Sequence, residues 1–119
     1  DYKQAIDDYT QAIKLKPDFT EAYYVRGIAH YFLKDYKQAI NDYTQAIKID
    51  PKNAIYYDAR GLTYLQLKDY KQAIDDYTQA IKLKPDFTEA YYVRGIAHYF
   101  LKDYKQAIND WNKAIKLIL

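Results

Sequence analysis

The chain has no cysteine, no serine and no methionine, and these absences remove several classes of function. Without serine there is no hydroxyl nucleophile for a serine-hydrolase triad. Without cysteine there is no disulfide and no thiolate ligand for zinc. The two histidines, His30 and His98, lie one in each of two identical segments, with no second histidine within helical reach. We therefore expect no enzyme activity, no cofactor and no metal.

An excess of charge of one sign and a long apolar run are also missing. Eighteen basic and 16 acidic residues give a net charge of +2, which is no basis for binding nucleic acid through phosphate neutralisation. No apolar run approaches the roughly 20 residues of a membrane helix, and no signal peptide is recognisable. Nucleic acid and membrane are therefore not expected partners, and the lack of cysteine favours the cytoplasm unless the chain is engineered.

What the chain does contain is a repeat. The hexapeptide DYKQAI begins at Asp1, Asp35, Asp69 and Asp103, which sets a period of 34 residues. Residues 1–42 and 69–110 are identical at all 42 positions, including polar positions that packing cannot constrain. Either the segment was duplicated recently or the chain was engineered by copying a 68-residue cassette, and we favour the second. Because no methionine begins the chain, we expect a fragment or a processed or trimmed chain.

Each period contains two helical patterns. From Asp35, an N-cap residue type, to Ile49, apolar residues recur at helical spacing, and Pro51 follows where it cannot continue the helix. The other pattern begins at Thr20 and is apolar nearly all round the helix. Asp18, just before this helix, and Glu21, three residues later within its first turn, suggest a capping box. Half of all residues are hydrophobic, so we expect one globular domain with seven helices, at 1–14, 20–33, 36–49, 54–67, 70–83, 88–101 and 104–119.

Two helices joined by a two-residue turn at a period of 34 resemble the tetratricopeptide repeat. Its pattern of aromatic and small residues is matched in one unit by Tyr23, Gly27, Ala39, Tyr43, Ala46 and Pro51. The resemblance implies an all-α, right-handed superhelical solenoid of antiparallel helix pairs. It divides the chain into a half repeat at 1–19 and repeats at 20–53, 54–87 and 88–119. The chain departs from the family at the turn, where Lys34, Lys68 and Lys102 replace the common glycine.

A second departure is an arginine at an interior position that the family usually fills with leucine. A buried arginine must be paired, and aspartates recur with the same period in the second helix of each unit. We therefore predict structural ion pairs between the two helix types, with an acidic ligand of the arginines as the alternative. The residues of the predicted pairs are Arg26, Arg60, Arg94, Asp8, Asp42, Asp76 and Asp110.

The resemblance also implies that the first helix of each unit lines a concave groove. Members that bind chaperone tails grip a carboxylate with basic and amide residues, but Tyr24, Ile28, Ala59, Glu89 and Val93 stand at the matching positions here. The groove is instead apolar and rich in tyrosine with an acidic edge, which predicts no binding of acidic chaperone tails. The implied peptide-binding groove comprises Glu21, Tyr24, Ile28, Tyr31, Phe32, Ile55, Asp58, Leu62, Leu65, Glu89, Tyr92, Ile96, Tyr99 and Phe100.

Two functions of different classes fit these observations. One is a non-catalytic module that binds a peptide or helix of another protein in the apolar groove. The other is an engineered or self-assembling scaffold without a natural ligand. Apolar residues at Tyr2, Ile6 and Ile118 favour self-association, so the partner is a protein or peptide, or another copy of the chain in a homo-oligomer. An RNA-binding repeat would need a basic groove, which Glu21 and Glu89 disfavour.

Overall fold

The computed structural model describes all 119 residues and consists of seven α-helices without a strand. The predicted number of helices is therefore confirmed, and each helix end lies within one residue of its predicted place. None of the helices combines the length and the apolar character that crossing a bilayer requires. The helices are α1 (Tyr2–Leu15), α2 (Thr20–Phe32), α3 (Tyr36–Ile49), α4 (Ala54–Gln66), α5 (Tyr70–Leu83), α6 (Thr88–Phe100) and α7 (Tyr104–Ile118).

The helices stack in chain order into an elongated body of 47 × 24 × 22 Å. Each helix packs on the next, and short turns make neighbours antiparallel. In addition, α2 contacts α4 and α4 contacts α6, whereas α1, α3, α5 and α7 do not contact one another. A two-layered stack curves towards the layer whose members touch. The predicted all-α solenoid is thus confirmed, and α2, α4 and α6 form its concave face.

Each helix of the concave face is followed, two residues after its end, by a residue in the left-handed conformation. The φ angles are 63° at Lys34, 62° at Lys68 and 65° at Lys102. The amide N–H of Lys34 donates to the carbonyl oxygen of Tyr31, and that of Asp35 to the carbonyl oxygen of His30, both at 2.9 Å. This is a Schellman motif, whose left-handed position is usually glycine. Lysine at this position therefore places backbone strain in each of these three turns.

Small residues bring the two helices of a repeat close together. A Cβ atom placed on Gly61 of α4 would lie 2.8 Å from Cε2 of Tyr77 and 3.2 Å from Cβ of Asp76. Tyr77 is fully buried, so the structure leaves its ring no solvent-facing space to move into. The helices therefore approach closely at the glycine, and six alanines of the facing helices are buried as well: Ala39, Ala46, Ala73, Ala80, Ala107 and Ala114.

The predicted capping box at the start of α2 is wrong. The N-cap residue is Phe19, and no side chain bonds to the first turn. The carbonyl oxygen of Phe19 accepts the amide N–H of Ala22 at 3.1 Å, so the N-cap lies one residue after Asp18 and the helix begins at Thr20. Asp35 is the N-cap of α3 as predicted, although its side chain makes no capping hydrogen bond.

Candidate functional site

Three arginines of the concave helices are held by buried aspartates of the outer helices. In the middle repeat, Nε of Arg60 donates to Oδ2 of Asp76 at 2.9 Å, and Nη2 donates to Oδ1 at 2.7 Å. Asp76 is 3% exposed. These hydrogen bonds raise the pKa of Arg60. The same two-pronged geometry joins Arg26 to Asp42 and Arg94 to Asp110.

Each arginine has a further partner that the sequence analysis missed. Nη1 of Arg60 donates to Oγ1 of Thr44 on α3 at 3.1 Å, so one guanidinium ties α3, α4 and α5 together. The ring of Tyr57 also lies 5.8 Å from the guanidinium carbon of Arg60. Because these groups occupy the arginine, little of it remains for an acidic ligand. The recurrence of threonine every 34 residues is the sequence feature that would have indicated this link. The corresponding threonines in the other repeats are Thr10 and Thr78.

Asp8 does not form the ion pair that we predicted for it. The other three aspartates each bind the arginine 16 residues earlier, and position 8 has no such residue. Asp8 is exposed, and its Oδ1 accepts a hydrogen bond from Nε2 of Gln4 at 3.0 Å instead.

The two histidines lie beside the ion pairs. Nδ1 of His30 is 3.6 Å from Oδ2 of Asp35, and Nε2 is 3.9 Å from Oδ2 of Asp42. The same arrangement surrounds His98. No group of three or more histidine, cysteine or acidic residues is arranged to hold a metal ion. The histidines therefore act as packed residues at the junction between the helices of a repeat.

Six of the predicted groove residues come together in one cleft on the concave face. The cleft encloses about 190 Å³ between α2, α3 and α4, and we call it the groove cleft. Tyr43 and Ala59 also line it, although neither was in the predicted set. Tyr43 matched the repeat pattern in the sequence and lies on the outer helix α3, yet it lines the cleft. The lining residues are Tyr24, Ile28, Tyr31, Phe32, Tyr43, Asp58, Ala59 and Leu62.

Asp58 is the one charged residue of the groove cleft. Burial raises the pKa of its carboxyl group, and the nearby carboxylate of Glu89 raises it further, while the hydroxyl of Tyr77 has the opposite effect. That hydroxyl donates to the main-chain carbonyl oxygen of Asp58 at 3.1 Å. Burial also raises the pKa of Tyr24 and of Tyr43. The cleft therefore combines phenol groups with a single carboxyl group.

The remaining predicted groove residues do not join this cleft. Glu89 and Tyr92 line a second cleft of about 330 Å³ between α6 and α7, together with Trp111 and residues of the last helical turns. At the corresponding place one repeat earlier, Ala54 and Tyr77 are packed against residues of α6, the first helix of the next repeat. The others line neither cleft, although all lie on concave helices: Glu21, Ile55, Leu65, Ile96, Tyr99 and Phe100.

Family models identify the repeat directly. A tetratricopeptide repeat model matches residues 20–53 and 88–118, a second model of such repeats matches residues 1–34 and 61–102, and a third matches residues 42–75. Together with the fold, these matches show that the chain belongs to the tetratricopeptide repeat family. Such repeats are generally non-catalytic protein-interaction modules. None of the curated proteins compared matches the sequence.

Solved structures with the same fold include MamA, an Arabidopsis protein and a chaperone-binding domain. The chain superposes on the crystal structure of MamA with a TM-score of 0.95 at 28% identity, over 98% of this chain and 68% of that one. The Arabidopsis OM64 TPR domain gives 0.80 at 37% identity, over 82% and 81%. The first TPR of Spaghetti (RPAP3), bound to the HSP90 peptide SRMEEVD, gives 0.80 at 28% identity, over 82% and 78%.

Proposed function

We propose that the chain is a non-catalytic interaction module that binds a peptide or helix of another protein along its concave face. The observation that carries this proposal is the groove cleft, which joins two repeats and is lined by seven uncharged residues around one carboxylate. The relevant units are the three repeats 20–53, 54–87 and 88–119, preceded by the half repeat 1–19.

Much of the apolar surface of the concave helices is exposed to solvent. Of the 13 residues of α2, only Ala22, Gly27 and Ala29 are buried. Phe32 remains 56% exposed on the same helix, and Phe100 remains 54% exposed on α6. Exposed apolar surface rimmed by polar residues is typical of protein-binding sites. An amphipathic helix would cover this surface with its apolar side.

The size of the groove cleft favours a protein partner over a small molecule. Clefts for drug-sized ligands enclose about 300–1,000 Å³. The groove cleft encloses about 190 Å³, which suits one inserted side chain. The structure of the RPAP3 domain with an HSP90 peptide supports peptide binding by this fold. The partner proposed here differs in chemistry, because Asp58 and Glu89 would repel an acidic peptide such as SRMEEVD.

The second candidate is a self-assembling scaffold, engineered or natural, without a separate ligand. Its support comes from apolar side chains on the outer helix α7, where Ile108 is 53% exposed, Ile115 51% and Ile118 71%. A second copy covering these residues would bury them without using the groove cleft. The two candidates therefore involve different surfaces of the molecule.

Light scattering behind a sizing column, across a dilution series, separates the two candidates. A mass of one chain, 14.2 kDa, at every concentration supports the groove as a free binding surface. Amphipathic helical peptides should then bind with micromolar affinity, and Leu62→Glu should abolish binding while Ile108→Glu leaves it intact. A stable dimer that Ile108→Glu dissociates would favour the scaffold instead.

A further inference from the structure

The carboxylate of Asp58 lies in an apolar cleft without a cation of its own chain. All three arginines are paired with other aspartates, and both histidines lie beside Asp35, Asp42 and their equivalents. No lysine, arginine or histidine forms an ion pair with Asp58. An unpaired carboxylate in apolar surroundings lowers the stability of the folded chain.

The fold itself does not need an acidic residue at this position. The equivalent residues in the flanking repeats are Tyr24 and Tyr92, one period away on either side. All three residues lie on concave helices of 13 residues, although α4 alone contacts a concave helix on both sides. Because tyrosine occupies the position in both flanking repeats, the carboxylate of Asp58 gives the middle repeat a different chemistry. A destabilising group that the architecture does not require points to a role in binding.

The charges of the chain are sorted between the two faces of the solenoid. Every lysine lies on α1, α3, α5 or α7 or in a connecting turn. The concave helices carry Glu21, Asp58 and Glu89, and their only permanent cations are the three paired arginines. The concave face is thus acidic although the whole chain has a net charge of +2. A basic partner would be attracted to this face.

The tyrosines around Asp58 suit a cation with a long apolar stem. The rings of Tyr24 and Tyr43 are 6.1 Å apart between centroids, and Tyr31 lines the same cleft. No cation of the chain lies over these three rings. Lysine and arginine side chains bury their methylene groups against apolar surface, while aromatic faces attract their charged ends.

From these observations we infer that the groove cleft binds a lysine or arginine side chain of the protein partner. Asp58 is the counter-ion, and Tyr24, Tyr31 and Tyr43 enclose the methylene stem. This inference rests on the proposed function and gives its specificity: the groove selects a helix or peptide with a basic residue in its apolar face. An acidic or neutral residue at that place leaves the half-buried carboxylate of Asp58 without a counter-ion.

The test uses one amphipathic helical peptide in three forms, with lysine, glutamine or glutamate at the centre of the apolar face. Each form is titrated calorimetrically against the wild-type chain, Asp58→Asn and the control Asp75→Asn. Asp75 is exposed on α5 and lines neither cleft. Asp75→Asn therefore changes the net charge by the same amount as Asp58→Asn, but away from the groove cleft. Circular dichroism establishes that each variant is folded.

We expect the wild type and Asp75→Asn to bind the lysine peptide about tenfold more tightly than the glutamine peptide. Asp58→Asn should remove that preference while still binding the glutamine peptide. Equal affinity of the wild type for the lysine and glutamine peptides would overturn the inference but leave the proposed function standing. Failure of all three peptides to bind at saturating concentration would overturn both.

Discussion

The guanidinium of Arg60 and the carboxylate of Asp76 meet through two hydrogen bonds, at 2.9 and 2.7 Å, inside the contact between α4 and α5. Asp76 is almost completely buried, and the side chain of Arg60 is 20% exposed. Repetition of this pair in every repeat accounts for an arginine where the family usually has leucine. Thr44 extends the link to the preceding repeat.

Changing Arg60 to Met should therefore destabilise the chain strongly. The substitution leaves the Asp76 carboxylate buried without a cation, which typically costs about 3–5 kcal/mol in the free energy of unfolding. Urea denaturation followed by circular dichroism measures the loss.

The double variant Arg60→Met, Asp76→Leu is the control for this prediction. Because it removes both charges and fills the space with apolar groups, it should recover most of the lost stability. A single variant as stable as the wild type would show that the pair does not hold the repeat together. In that case the arginines would become candidates for ligand binding.

Gly61→Ala should also destabilise the chain, although alanine favours helices over glycine by about 1 kcal/mol. The added methyl group would lie 2.8 Å from the ring of Tyr77, which is fully buried. Overpacking of this kind costs about 1–3 kcal/mol, so the net change is a loss of up to about 2 kcal/mol. Thermal unfolding shows whether the variant is more or less stable than the wild type. A higher unfolding midpoint would mean that the ring of Tyr77 can move aside.

Lys68→Gly should have the opposite effect. Lys68 adopts a φ of 62°, a conformation that costs a residue with a Cβ atom about 1–2 kcal/mol. Glycine removes that strain but loses more backbone entropy on folding, so we expect a gain below about 1 kcal/mol. The matched control is Lys113→Gly on the exposed face of α7, which should lose about 1 kcal/mol. Loss of stability in both variants would contradict the account of the turn.

The regular part of this fold could be predicted from the sequence because it repeats. The period and the apolar stripe from Tyr36 to Ile47 determined the helices and their pairing, and Pro51 marked where a helix ends. The small residues of the pattern include Gly27, and the structure places the glycines of the three repeats against Tyr43, Tyr77 and Trp111. Local sequence carries this information, since each repeat folds against neighbours of nearly the same composition.

Features that depend on three helices at once could not be read from the sequence. The link from Arg26 to Thr10 joins residues of α1 and α2 whose proximity follows only from stacking of the repeats. Tyr43 reaches the groove cleft from an outer helix for the same reason. The two wrong predictions, a cap at Asp18 and an ion pair at Asp8, came from spacing alone. Spacing shows neither where a helix begins nor whether a partner residue is present.

Replacing Asp58 with Asn should raise the unfolding temperature at neutral pH. Burial raises the pKa of Asp58 in the folded state above its unfolded value, so the folded chain binds this proton more tightly. The charged form then destabilises the chain above the raised pKa, and this penalty disappears as the pH falls below the unfolded pKa. The advantage of the Asn variant should accordingly shrink as the pH falls from about 7 to about 3. An advantage that does not change with pH would show that the Asp58 carboxylate titrates normally.

The most direct test of the central claim is site-specific photo-crosslinking to a bound amphipathic peptide. Benzoylphenylalanine replaces Phe32, which lines the groove cleft and is 56% exposed, and in a separate variant it replaces Ile108, which is exposed on α7 and lines neither cleft. Adducts are measured by mass spectrometry. The account predicts a peptide adduct from position 32 and none from position 108. A peptide adduct from position 108 alone would contradict it and place the binding surface on the outer helices.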